Sequence, residues 1–172
     1  MQEFIDILSV GGKTNSLGRA EEVMAAVLAD KSKLSELYQC IFADDPWVRM
    51  RAADSLEKIC RAHPDWVESY IDKMLQDWAS SSQPSIQWHL AQILAEVRLT
   101  GGQKERALTW LKEMLLSNEV DWIVAVNTMK TLVQFCHEGL VTKEEVAPLF
   151  ELQHQHKSNT VRKKAAQFLQ DL

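Results

Sequence analysis

The sequence predicts an all-α protein, an α-solenoid of about four helical hairpins with a capping helix at either end. Three observations carry that prediction. Apolar residues recur at i, i+3, i+4 and i+7 along nearly all of the 172 residues, and no stretch alternates as a half-buried strand would. The breaks between those stretches hold helix-start signals. Asp45-Pro46, His63-Pro64 and Gln83-Pro84 each put proline in a first turn, where its missing N–H would be unpaired anyway. One apolar skeleton then returns along the chain. Val48, Ala53, Leu56 and Ile59 become Ile86, Ala91, Leu94 and Val97 at a shift of 38, and Val124, Met129, Leu132 and Phe135 at a further 38. A last shift of 37 gives Val161, Ala166, Leu169 and Leu172.

Composition narrows the classes. A hydrophobic content of 46% excludes intrinsic disorder, and 6 Gly with 4 Pro exclude a collagen-like or low-complexity chain. With 19 Lys+Arg against 24 Asp+Glu the formal charge is −5, which argues against a whole-surface attraction to nucleic acid or anionic lipid. Cys40, Cys60 and Cys136 are too few and too scattered for a disulfide framework or a zinc site, so the expected setting is reducing and cytoplasmic. Glu3 and Asp6 stand where a signal peptide carries basic residues, and no run nears the ~18 apolar residues of a membrane span. A soluble protein is expected.

The elements follow in order. Gln2 to Val10 reads as a helix capping the array, with a polar segment running to residue 15. The first hairpin spans about 16–44, with Ser16 as its cap and Leu34, Leu37, Tyr38, Ile41 and Phe42 as the stripe of its second helix. The second hairpin, 45–82, starts with Asp45 as cap and Pro46 in the first turn. Val67, Tyr70, Ile71, Met74 and Leu75 line its second helix. In the third, 83–119, Gly101-Gly102 should stop the first helix, and Ala107, Trp110, Leu111, Met114 and Leu115 line the second. The fourth, 120–157, is capped by Asp121, stops at Gly139, and restarts on a capping box of Thr142 and Glu145. There the stripe decays: Val146, Leu149 and Phe150 fit, but Gln153 and His154 fall in apolar columns. Pro148 should kink that helix or delay its start. Residues 158–172 form the second capping helix. Nine or ten helices result, most of 12 to 17 residues. Neither helix of a hairpin can bury its stripe alone, and stacking supplies the missing surface.

At the start of the second hairpin Asp45, Pro46, Val48, Arg49, Ala52, Ala53 and Leu56 spell D-P-x-V-R-x-x-A-A-x-x-L, which returns in part as Val161, Arg162, Ala165, Ala166 and Leu169. With a period near 38, this resembles the HEAT-repeat family over roughly residues 16–172. The resemblance implies a right-handed α-α superhelix and a scaffold role. The third copy has Gln87 and the fourth Ala125 in place of the arginine, so an Asp–Arg ladder of the kind the family often has would be broken in the middle.

Catalytic chemistry finds no foothold. His63, His89, His137, His154 and His156 are scattered, and the last two, two apart, lie on different sides of a helix. No nucleophile–base grouping emerges, and neither a metal nor a cofactor is expected. The string Gly11 to Arg19 lacks the Walker A pattern, since Ile7 stands where its first glycine belongs. It reads as a linker, or as a polar recognition loop formed by Lys13, Asn15 and Arg19.

Binding residues are better candidates. Trp78, Trp88 and Trp110 fall in or beside the apolar columns and belong to the core. Trp47, Trp66 and Trp122 sit in first turns, off the stripe, as staples between repeats or as exposed anchors. The concave face of such a solenoid is built from its second helices, and the residues expected to point there are Asp65, Glu68, Asp72 and Gln76, then Glu105, Thr109, Lys112 and Glu113, then Glu145, Glu151 and Gln155. That face is acidic on balance and suits a basic segment of another protein. The basic end, Lys157, Arg162, Lys163 and Lys164, reads as a solvated cap. The expected function is therefore a non-enzymatic scaffold that binds a protein or peptide partner, with no membrane, nucleic acid or small molecule required. The alternative is a nucleic-acid-binding protein resembling the HEAT-like DNA-alkylation-repair glycosylases, which pair tryptophans with a carboxylate in a basic groove. Asp121-Trp122 is the nearest pairing here, but the basic groove is missing.

Overall fold

A computed structural model describes residues 2–11 and 16–172, which form helices joined by turns and short irregular links and contain no strand. The chain falls into two compact units, one ending at Ser69 and one running Tyr70–Leu172.

In the first unit α1 (Gln2–Ser9) and α2 (Ala20–Ala29) pack against α4 (Pro46–Ala62). Between α2 and α4 runs α3 (Leu34–Gln39), flanked by 3-10 turns Lys31–Lys33 and Cys40–Phe42. After α4 come α5 (Pro64–Val67) and the 3-10 turn Glu68–Tyr70. Helix α4 is the spine. Asp45 Oδ1 accepts from Trp47 N at 2.8 Å and Pro46 opens the first turn, a cap that stabilises by about 1 kcal/mol. Val48, Ala52, Ala53, Leu56, Ile59 and Cys60 are buried along it, and the two alanines let neighbours approach closely.

Arg51 is only 4% exposed on that spine. Its guanidinium donates to the carbonyls of Leu8, Gly11 and Ser16, holding the end of α1 and the approach to α2 against α4. Gly18 belongs to the same knot. It has φ +54°, and a Cβ there would meet Gly11 O at 2.7 Å, so no larger residue fits. Ser16 is not the α2 cap: its Oγ accepts from Gly18 N at 3.1 Å, and Arg19 occupies the cap position without a side-chain capping bond. A two-residue turn has claimed the hydroxyl.

The second unit contains α6 (Ile71–Asp77), α7 (Pro84–Glu96), α8 (Gly101–Met114), α9 (Trp122–His137), α10 (Lys143–Leu152) and α11 (Asn159–Asp171). First helices form one row, α7 on α9 and α9 on α11, while α6 packs on α8, and α8 and α10 on α9. Polar bonds lace the row: Thr131 Oγ1 donates to Ala91 O at 2.8 Å and Gln134 Nε2 to Ala95 O at 2.7 Å. The leading column of the repeat (Val48, Ile86, Val124 and Val161) is buried in every copy. In α11 the buried side narrows to Val161, Ala165 and Phe168, leaving Ala166 exposed and Leu169 and Leu172 half-exposed.

Three local expectations are corrected. Gly101-Gly102 does not stop a helix but begins α8, because Thr100 N donates to Gln103 Oε1 at 3.0 Å and Gln103 N to Thr100 Oγ1 at 3.4 Å, a capping box. Pro148 does not delay α10, which starts at Lys143 where Thr142 N donates to Glu145 Oε2 at 2.9 Å. Several second helices are shorter than 12 residues, interrupted by 3-10 turns such as Gln153–Gln155.

The misfit Gln153 is wholly buried, and its Nε2 donates to Leu115 O at 3.0 Å and Ser117 O at 3.2 Å beyond the end of α8. His156 is buried likewise, with Ser158 N donating to Nδ1 at 2.9 Å, so that Nε2 carries the proton it donates to Val120 O at 2.7 Å. The motif arginine also shows its task. Arg49 Nη1 donates to Ala43 O at 2.7 Å and Asp44 O at 2.8 Å, and Arg162 Nη1 to His156 O at 2.7 Å and Lys157 O at 3.0 Å. In the third copy Gln87 Nε2 reaches the equivalent carbonyl, Ser81 O, at 2.8 Å. Glutamine keeps one of the arginine's two bonds.

Candidate partner-binding groove

The second helices of residues 70–172 carry two cross-links. Between α6 and α8, Asp72 accepts from Arg106 Nη2 and, at 3.0 Å, from Gln103 Nε2. Between α8 and α10, Lys112 Nζ donates to Glu145 Oε1 at 2.7 Å. These bonds set the acidity of both carboxylates. Arg106, then Gln103, hold Asp72 below the usual carboxylate range. The Lys112 ammonium, with the backbone N–H of Thr142, pulls Glu145 down to about 2.

Glu105 and Glu113 differ. Both are exposed on α8 and have no ionic partner among the described residues. They flank a groove of about 580 Å³ between α6 and α8. Its deeper lining is Leu75, Ala79 and Trp110, with Gln76 and Thr109 exposed alongside. Trp110 is fixed there, because its Nε1 donates to Ala79 O at 3.2 Å. Eight residues of helix separate the two carboxylates by ~12 Å along the axis. The arrangement is an apolar trough with a negative charge near each end of one wall.

The other singled-out residues lie elsewhere. Asp65 is exposed and Glu68, Trp47 and Trp66 half-buried, all in the first unit. Trp66 stacks on His63 with centroids 4.3 Å apart, and Lys31 Nζ lies 5.3 Å from its ring, so it ties α5 to the turn before α3. Trp122, the first residue of α9, is 47% exposed. The Asp121 carboxylate beside it accepts from Ile123 N at 3.0 Å and is occupied as the α9 cap. Glu151 is exposed on α10. Arg19 pairs with Glu22, and Lys13 and Asn15 lie outside the described residues. Trp78 and Trp110 are buried, whereas Trp88 is half-buried.

Sequence reasoning missed the pairing of Asp72 with Arg106 and of Glu145 with Lys112. Their separations, 34 and 33 residues, sit just under one repeat, and a search for opposite charges at that spacing finds both. Among the described residues no three His, Cys, Asp or Glu side chains gather as a metal ion needs, and no helix is long and apolar enough to cross a membrane.

Stacked helical hairpins with the D-P-x-V-R signature define a helical-repeat protein. The model of the HEAT repeat domain matches residues 12–146, and the chain belongs to the HEAT-repeat family. No curated protein matches it. Among solved structures, the crystal structure of an engineered protein from a structural genomics consortium is similar, at 14% identity and a TM-score of 0.49 over 99% of this chain and 97% of that one.

Proposed function

We propose that this chain is a non-enzymatic scaffold whose second-helix face, within residues 70–172, takes a basic segment of a partner protein. HEAT repeats commonly serve as protein-interaction scaffolds, and the observation that carries the choice of face is the α6/α8 groove. Glu105 and Glu113 retain their charge for a partner, while Asp72 and Glu145 spend theirs on cross-links. Exposed carboxylates steer an incoming cation, and Leu75 and Ala79, half-exposed over the buried Trp110, offer it apolar area for its aliphatic stem. Cys40, Cys60 and Cys136 are not joined in disulfides, which suits a reducing compartment, and we place the protein in the cytoplasm.

Charge reversal at both sites, Glu105→Lys with Glu113→Lys, tests this. A protein that co-purifies with the wild-type chain should be lost from the double variant, and should elute near 1 M salt, where the Debye length is ~3 Å. Equal retention by the double variant places the interface elsewhere. Asp72 is unsuitable for this test, because reversing it also breaks the α6–α8 link.

A further inference from the structure

Resting on that reading of the groove, we propose that its occupant is an amphipathic α-helix with two lysine or arginine side chains seven or eight residues apart and a branched aliphatic residue midway. The walls argue for a helix. Both walls are helical, α6 and α8, so the groove presents side-chain ridges and no sheet edge to which an extended peptide could add as a strand. The charges set the spacing. Glu105 and Glu113 stand ~12 Å apart along α8, and a docked helix covers that distance in seven or eight residues at 1.5 Å each. An extended peptide covers it in about four, at ~3.3 Å each.

Midway between the carboxylates lie Thr109 and Trp110, with Leu75 from the facing helix and Ala79 from the turn that follows it. A leucine or isoleucine one turn from each cation falls over that apolar centre.

Labelled synthetic peptides of 18 residues in an alanine–glutamine background test the proposal by fluorescence anisotropy. The first carries lysines at positions 5 and 12 with leucine at 9. The second has the same composition with the lysines four apart, and the third is the first with proline at position 10. The first should bind the wild-type chain at least tenfold more tightly than either of the others, and Glu105→Gln with Glu113→Gln should abolish the difference. If the second or third binds as well as the first, and the glutamine variant weakens all three, the helical occupant is wrong while the basic-segment reading stands. If the glutamine variant binds every peptide as the wild type does, the basic-segment reading itself fails.

Discussion

Lys112 and Glu145, 33 residues apart, join the second helices of successive repeats through a bond of 2.7 Å from Nζ to Oε1. Glu145 has a second duty at the start of α10, accepting from Thr142 N at 2.9 Å. One carboxylate thus serves as a helix cap and as a rung between hairpins. Because its folded pKa is drawn from 4.5 to about 2, the stabilisation is complete above about 4.5 and disappears as pH falls through the folded value. Wild type and Glu145→Gln should therefore differ in Tm at pH 6 and converge as pH falls from 4.5 toward 2. A gap that stays constant over that range refutes the linkage.

Arg51 should matter more than any surface arginine. Three carbonyls, of Leu8, Gly11 and Ser16, depend on one guanidinium that is almost wholly enclosed. Arg51→Met leaves them without that donor and should cost about 3 kcal/mol in urea unfolding. Arg51→Lys, with the charge but without the fork, should fall between. Cleavage by protease between α1 and α2 should accelerate in the methionine variant before global unfolding does. An unchanged unfolding midpoint in Arg51→Met contradicts this account.

Much of the fold is legible because apolar columns are local patterns: Val48, Ile86, Val124 and Val161 can be aligned without knowing what covers them. Features set by distant groups are not. Gln153 looks wrong in its column until Leu115 O and Ser117 O arrive from 36 to 38 residues away. Gly101-Gly102 carries a stop signal that the Thr100–Gln103 box overrides. In the candidate groove, Glu105 and Glu113 are readable as outward positions on α8. What separates them from Asp72 and Glu145 is Arg106 and Lys112, and those pairings exist only once the repeats are stacked.

The slot shared by Arg49, Gln87 and Arg162 yields a graded prediction. Gln87→Ala removes the donor to Ser81 O and should cost about 1 kcal/mol. Gln87→Arg restores the side chain that makes two such bonds at Arg49 and Arg162, and should match or exceed wild-type stability. Should the arginine variant prove less stable than the alanine variant, the equivalence of the three positions is lost.

Tryptophans separate core from surface in one experiment. Trp78 is completely enclosed, and Trp78→Ala removes a large side chain whose cavity the surrounding helices cannot fill, at a cost of about 3–5 kcal/mol. Trp122 is 47% exposed at the first position of α9, where the cap is supplied by Asp121 and not by the indole. Trp122→Ala should accordingly cost less than about 1 kcal/mol in the same urea titration. An indole that contributes so little to folding remains available to a partner, and its emission should be the most accessible to iodide quenching, a signal that Trp122→Phe removes. If Trp122→Ala instead destabilises as strongly as Trp78→Ala, Trp122 is a staple within the fold and drops out of the candidate binding residues.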